Sequence, residues 1–494
     1  MNRRHFLKSS AFLSALPYSL LKDPYAPYVR PRPFSTPVRV RGAVQSSGQG
    51  LIDVAVTDGI NVTRTATDGT FELITDSATP FVYITTPGSY EIGRNDTGTA
   101  RFYQPISANG EGEAEAVFEL QQRPDRNTNH AFLVWADTQT QNQFETGLLH
   151  EQTVPDALKM VQELGGQDLF GVGCGDIMFD DLSLFPEYER AVQLLDIPFF
   201  QVVGNHDLDM DSATDGGSTQ TFMRHFGPRY YSFDRGIVHY VVLDDVLWHS
   251  RGYIGYLDDV QLNWLAQDLS GIEPGRPVVV FAHIPGLSTQ YSRNGESSAN
   301  ISTSITNRDR LYQLLEPYQA HLISGHTHEN EHVFEGGIHE HIHGAVCGAW
   351  WSGPICSDGT PNGYGVYEVR GEEITWQYKS TGYDRSYQMR VYDPGADSTA
   401  PDEIVANIWD ADPNWEIAWF EDGIRKGLMS NRLGKDPMSV RMHTGPNAPE
   451  RRTWVEPGIT NHLFYAPVSP GAKEIRVVAT DRFDRTYVTA IQTG

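Results

Sequence analysis

An α/β layered core held between two all-β segments is the fold class this sequence predicts, and three observations carry it. Between about Ala131 and Lys379, short wholly apolar runs alternate with amphipathic helical stretches. Strands apolar on both faces, alternating with helices, belong to sheets covered by helices. On either side of this region, β-type runs alternate with turn residues and show no helical period. At 494 residues the chain is too long for one core, so several domains are expected.

The elements follow in order. "NRRHFLK" precedes "SSAFLSAL", so paired arginines stand before a short apolar segment at 1–24. This pattern resembles a twin-arginine export signal and is too short for a membrane span. It implies the twin-arginine export machinery as a partner and a periplasmic or extracellular location. "DPYAPYVRPRPFSTP" is a proline-rich spacer. Residues 38–122 carry "LIDVAVTDG" and "NVTRTATDGTFELI", with hairpin-type turns at Asp58-Gly59 and Asp68-Gly69. Their cadence resembles the transthyretin-like or carboxypeptidase-regulatory-like β-sandwich. In 128–382, strands read at "AFLVWA", "LFGVGCG", "FFQVVG", "HYVVLD", "PVVVFA" and "AHLISG". Helices read at "VPDALKMVQELGG", "PEYERAVQLLD", "DDVQLNWLAQDLS" and "NRDRLYQLLEPY", and "GYGVYEVRGEEITWQYKS" reads as a closing hairpin. Residues 386–494 return to β-type runs and predict a second flanking β-sandwich.

Composition excludes one class of function. With 38 basic and 63 acidic residues the formal net charge is −25, so non-specific nucleic-acid binding is not expected. A phosphate-bearing ligand remains compatible where bound metal supplies local positive charge. The three cysteines form no CxxC pattern, so a cysteine zinc site is not expected; Cys174 reads as core, and Cys347 and Cys356 are left either paired or free.

The chemistry gathers at strand ends. "LVWA" ends in Asp137-Thr138-Gln139, "GVGCG" in Asp176, "FFQVVG" in Asn205-His206-Asp207, "VVVFA" in His283, and "HLISG" in His326-Thr327-His328. Ligand sites of α/β sheets lie beyond the carboxyl ends of the strands. Imidazoles, carboxylates and amides make poor core, so their recurrence at five strand ends points to one metal-binding rim.

The order "ADTQ", "CGDIMFDD", "VGNHDLD", "FAHIPG", "SGHTHE" resembles the calcineurin-like metallophosphoesterases. The flanking β-segments resemble those of a bacterial exported subgroup. That resemblance implies a four-layer αββα sandwich and two divalent metal ions (Mn, Fe, Zn or Mg). It implies that Asp137, Gln139, Asp176 and His328 hold one ion, with Asp176 bridging to a second held by Asn205, His283 and His326. It further implies hydrolysis of a phosphomonoester or phosphodiester by a metal-bridging hydroxide, with His206 as general acid oriented by Asp207. Gln139 departs from the family's usual His. It either ligates through its amide oxygen, which suits harder ions such as Mn²⁺ or Mg²⁺, or leaves the position to water.

Weaker candidates surround this set. Asp180 is expected to support the loop after Asp176. Trp350 and Trp351 line the substrate cleft or pack between domains. His339, His341 and His343 alternate as one face of a strand rather than forming a further metal site, with approach of His341 or His343 to the centre as the alternative. An alternative function is a non-catalytic cell-surface binding protein that keeps the metal centre, against which His206 argues because metal binding alone does not require it. Hydrolysis of a non-phosphate ester would use the same ligands.

Overall fold

The computed structural model describes residues 36–493 except 125–127, 166–167 and 447. The arginine-paired segment at 1–24 lies outside the described residues. Among the described residues no helix is long and apolar enough to cross a membrane.

Two four-stranded sheets form the N-terminal sandwich. Pro37–Ser46 runs parallel to Glu113–Glu119 and antiparallel to Thr70–Asp76. Alternation along Thr70–Asp76 sends Phe71 and Leu73 inward, where they meet Val40, Val56, Val82 and Phe118. Asp58-Gly59 does close a hairpin, between Ala55–Thr57 and Val62–Arg64. Asp68-Gly69 does not: it joins strands of different sheets, because Val62–Arg64 pairs with Ala55–Thr57 while Thr70–Asp76 pairs with Pro37–Ser46.

The central region stacks two sheets face to face. One has five strands in the order Phe199–Val202, Asp168–Cys174, His130–Trp135, Gly363–Arg370, Glu373–Ser380. The first three are parallel, and the last two are the antiparallel hairpin expected from sequence. The other has six: Tyr231–Arg235, Val238–Val242, Pro277–Phe281, Gln319–Ser324, Ile338–Ile342, Glu331–Glu335. Period-2 alternation divides each strand between two layers. Phe132 and Val134 face the second sheet, where Phe170, Tyr240, Phe281 and Tyr367 pack in the inter-sheet core. Leu133 and Trp135 face outward under Val154–Glu163 and Phe185–Gln193. On the far side Val278 and Val280 pack beneath Asp259–Leu269 and Arg308–Leu315. The result is an α/β sandwich of four layers, αββα, with β-sandwiches flanking it.

Local rules explain the helices. Val154–Glu163 buries Val154, Ala157 and Met160, the three-residue spacing of one helical face, and carries proline in its first turn. Asp258 caps Asp259–Leu269 by accepting a hydrogen bond from the Gln261 amide at 2.7 Å. Each fully buried Leu or Phe adds roughly 1.5–3 kcal/mol, which makes the inter-sheet layer the rigid base of the site.

The C-terminal sandwich also pairs two four-stranded sheets, with Ile404, Ile408, Ile417, Ile475 and Val477 between them. It docks on the central region through polar contacts. Asn330 donates to the Trp409 carbonyl at 2.7 Å, and the His462 ring lies 3.0 Å from Asp358.

Candidate metal centre

Each sheet delivers its polar residues to the same edge because its central strands are parallel and all end there. Asp137 and Asp176 follow strands of the five-stranded sheet, and His283 and His326 follow strands of the six-stranded one. The two sets meet directly. Asp137 accepts the His326 backbone amide at 2.9 Å, and His283 Nε2 lies 3.2 Å from Asp176 Oδ1. His283 Nε2 is also 3.2 Å from Asn205 Oδ1, and His326 Nδ1 is 3.1 Å from His283 Nε2. Ligand atoms of Asp176, His283 and His326 all fall within 4.8 Å of one another.

The tautomers follow from the partners. His283 Nδ1 sits 3.1 Å from the Cys174 carbonyl, His326 Nε2 2.8 Å from that of Ser302, and His328 Nδ1 2.8 Å from that of Gly348. A carbonyl only accepts, so each of those nitrogens carries the proton. In the neutral ring the other nitrogen then presents its lone pair to the centre. His328 Nε2 is buried, has no hydrogen-bond partner, and lies 3.4 Å from Asp137 Oδ1. An orphaned lone pair beside a buried carboxylate fits a cation between them, so the donor set suits divalent ions.

The backbone is shaped around this point. Asp137, Gln139, Asp176, His326 and His328 have φ of +50°, +39°, +48°, +70° and +51°. Such left-handed positions cost of order 1–3 kcal/mol each in non-glycine residues and persist where surroundings impose them. Glycines supply the remaining room. A Cβ on Gly325 would lie 2.3 Å from Asp137 Oδ2, and one on Gly204 would lie 2.3 Å from Asp176 Oδ1.

Burial acts to raise the Asp176 pKa, but His283, His206 and His326 more than offset it and hold the carboxyl well below its ordinary range. Gln139 is buried with its amide nitrogen 2.5 Å from Asp176 Oδ2, so its side chain lies in the centre and not away from it. Asn205, like Gln139, offers an amide.

His206 stands at the side of the cluster. Its Nδ1 is 2.6 Å from Asp180 Oδ1, its Nε2 is 4.0 Å from Asp176 Oδ2, and Phe179 stacks on its ring at 4.3 Å. Asp180 therefore orients the ring, which corrects the expectation for Asp207. Asp207 is fully buried and accepts the amides of Gly204, Ile177 and Met178 at 2.9, 3.1 and 2.9 Å. Its carboxylate is taken up by these amides and ties together the two loops that carry Asp176 and Asn205. The pattern "GDIMFDD" held the orienting residue, but the loop's return path decided which carboxylate reached the imidazole.

The tryptophans separate. Trp350 stacks on His328 at 4.1 Å and meets Trp454 edge-on at 4.3 Å. Trp351 is not a cleft residue: it is buried in the helix-side core and its indole donates to the Thr138 carbonyl at 2.9 Å. Cys347 and Cys356 are both free and buried. His341, on Ile338–Ile342, and His343, just after it, are joined through the Tyr367 hydroxyl at 3.1 and 2.7 Å and are not among the side chains that converge with Asp176, His283 and His326.

Three further residues were not singled out from sequence. Asp245 accepts the His283 and Ile284 amides at 3.1 and 2.9 Å and fixes the His283 backbone. It follows "HYVVLD", so the strand-end rule would have found it. Arg452 lies over the Phe179 ring at 4.8 Å and pairs with buried Glu145 at 3.1 Å, and Trp454 is 54% exposed beside Trp350. Both come from the C-terminal sandwich, and no local pattern connects them to the centre.

Comparison with known proteins agrees along the chain. Family models match at 38–123 (N terminal of Calcineurin-like phosphoesterase), 130–330 (Calcineurin-like phosphoesterase) and 340–487 (C terminal of Calcineurin-like phosphoesterase). The serine/threonine-protein phosphatase CPPED1 of Bos taurus is 27% identical over 235 residues, covering 45% of this chain and 71% of the relative. The Homo sapiens protein of that name is 26% identical over the same length. Among solved structures, a dimetal phosphatase from Danio rerio shares 16% identity with a TM-score of 0.35, covering 51% of this chain and 96% of its own. The purple acid phosphatase of yellow lupin (Lupinus luteus) seeds shares 13% identity with a TM-score of 0.36, covering 67% of each chain. With three models of one family matched in order along the chain, and phosphatases among its relatives, this protein belongs to the calcineurin-like phosphoesterases, metal-dependent hydrolases of phosphoric esters.

Proposed function

We propose that this chain is an exported enzyme that hydrolyses a phosphomonoester or phosphodiester at two divalent ions. Asp137, Gln139, Asp176 and His328 would hold one ion, and Asp176, Asn205, His283 and His326 would hold the other. The observation that carries this reading is the set of three imidazoles whose outer nitrogens are pinned by the carbonyls of Cys174, Ser302 and Gly348. When bound, the ions supply positive charge for the phosphoryl oxygens and lower the pKa of the attacking water. The amide oxygen of Asn205, and that of Gln139 with its amide turned about so that oxygen replaces nitrogen beside Asp176, would favour harder ions such as Mn²⁺ or Mg²⁺.

His206 supplies the proton. With Nδ1 held by Asp180, its Nε2 is left facing the Asp176 side of the centre, where its proton would pass to the leaving oxygen, and Asp180 would stabilise the imidazolium before transfer. Phe179 holds the ring face in place, and Arg452 above Phe179 adds positive charge at the approach. Trp350 and exposed Trp454 offer an apolar wall for the ester group.

The test uses leaving groups. His206→Ala should keep bound metal while slowing alkyl esters by about 10²–10⁴-fold, and nitrophenyl esters much less. Asp180→Asn should show the same selectivity with a smaller loss. Equal losses on both ester types would remove His206 from the acid role. Export rests on Arg3 and Arg4 before the apolar segment. Replacing both with lysine in a tagged full-length chain should retain the protein in the cytoplasm, and unchanged fractionation would refute the signal.

A further inference from the structure

A second group of histidines lies on the last three strands of the six-stranded sheet, away from the rim where the parallel strands end. His321 is on Gln319–Ser324, His339 and His341 on Ile338–Ile342, and His332 on Glu331–Glu335. In register, His321 sits opposite His339, and His341 sits opposite both Ile323 and His332. Alternation therefore turns these four rings to one face of three adjacent strands. His321 is five residues before His326 in sequence, roughly 16 Å along an extended chain, so this group is separate from the rim.

The nitrogens converge. His321 Nδ1 is 2.9 Å from His341 Nε2, and His332 Nδ1 is 3.1 Å from His339 Nε2. A ligand atom from each of His321, His339 and His341 lies within 4.8 Å of the other two. Around a tetrahedral ion with bonds of about 2.0–2.1 Å, imidazole nitrogens stand roughly 3.3 Å apart. Outer partners are also present. His332 Nε2 is 3.0 Å from Asp410 Oδ1, and His341 Nδ1 is 3.1 Å from the Tyr367 hydroxyl. A carboxylate or hydroxyl on the far nitrogen is the support that metal-binding imidazoles take.

Charge and access agree. Burial first, then Arg482 and His332, hold His321 down to about 4, and burial likewise keeps His339 and His341 far below the ordinary range. All three rings are thus neutral, with lone pairs available. Arg482, the nearby cation, is paired with Asp412 at 2.6 Å. His321 is partly exposed, and Phe334, 47% exposed, covers the His339 ring at 4.1 Å, so an ion has a short path in.

We infer that His321, His339 and His341 bind one borderline divalent transition-metal ion at a third, structural site, with His332 beside it as a link from His339 to Asp410. Imidazole-only donors select Zn²⁺, Cu²⁺ or Ni²⁺ over Mn²⁺ or Mg²⁺. Asp410 and Arg482 belong to the C-terminal sandwich, so the ion would fasten the outer edge of the six-stranded sheet to that domain.

Full-length protein, stripped by chelator and reloaded with Zn²⁺, tests this in two ways. Anomalous scattering at the zinc edge should show a peak among the His321, His339 and His341 rings of the wild type. His341→Gln should bind one equivalent of zinc fewer while keeping its rate on a nitrophenyl phosphoester within about twofold. The wild-type map does not depend on the variant folding. A reloaded crystal with no peak among these rings, or a His341→Gln chain with unchanged zinc content, would overturn the site and leave a hydrogen-bonded cluster of neutral imidazoles.

Discussion

The histidines at the sheet edge and those inside the sheet are the same chemical group under different constraint. At the edge, His326 and His328 lie one residue apart on left-handed backbone, with Gly325 making room for Asp137. Carbonyls hold their outer nitrogens. Inside the sheet, His339 and His341 lie one residue apart on a regular strand, and the Tyr367 hydroxyl and the rings of His321 and His332 are their partners. The contrast teaches that local strain marks the first set in the chain itself, whereas the second is marked only by which strands lie side by side. A strained backbone persists where something repays it. A regular strand carries no such mark.

The largest expected effect separates the two regions. Asp176→Asn should remove most metal from both edge sites and cut activity by roughly a thousandfold or more. The same variant should still bind about one equivalent of zinc at the interior cluster. Elemental analysis of manganese and zinc in the purified variant gives both answers, and two full equivalents at the edge would end the bridging role of Asp176.

A smaller effect comes from making the edge resemble the interior. Gln139→His replaces an amide oxygen by an imidazole nitrogen without changing net charge. Zinc should gain on manganese at the Asp137–His328 site by about tenfold, while the site of Asn205, His283 and His326 stays nearly unaltered. Competitive titration, with site occupancy from anomalous scattering, measures it. An unchanged ratio with residue 139 off the metal in both proteins would make Gln139 a bystander.

Much of this is legible in the amino-acid sequence. The apolar runs at "AFLVWA" and "PVVVFA" are strands because their residues suit burial on both faces, and Phe132 and Leu133 do take opposite layers. The polar residues directly after those runs form the edge cluster because parallel strands place their ends together. Asp207 and Asp180 were less legible. Both follow the right strands, yet side-chain direction depends on loop dihedrals that local pattern does not define. Trp350 and Trp351 show the same limit: adjacent residues in one loop, one over His328 and the other in the core.

By itself the sequence determined the layered α/β core, its β-sandwich neighbours and the strand-end residues, since periodicity and the polarity of strand ends are local properties. Only the tertiary structure decided that Asp180 and not Asp207 holds His206, that Arg452 and Trp454 arrive from a distant domain, and that His321 meets His339 and His341. Those contacts join residues from 339 − 321 = 18 positions apart, for His321 and His339, to 452 − 179 = 273 positions apart, for Arg452 over Phe179. Long-range proximity is fixed by sheet order and domain docking, which no run of neighbouring residues encodes.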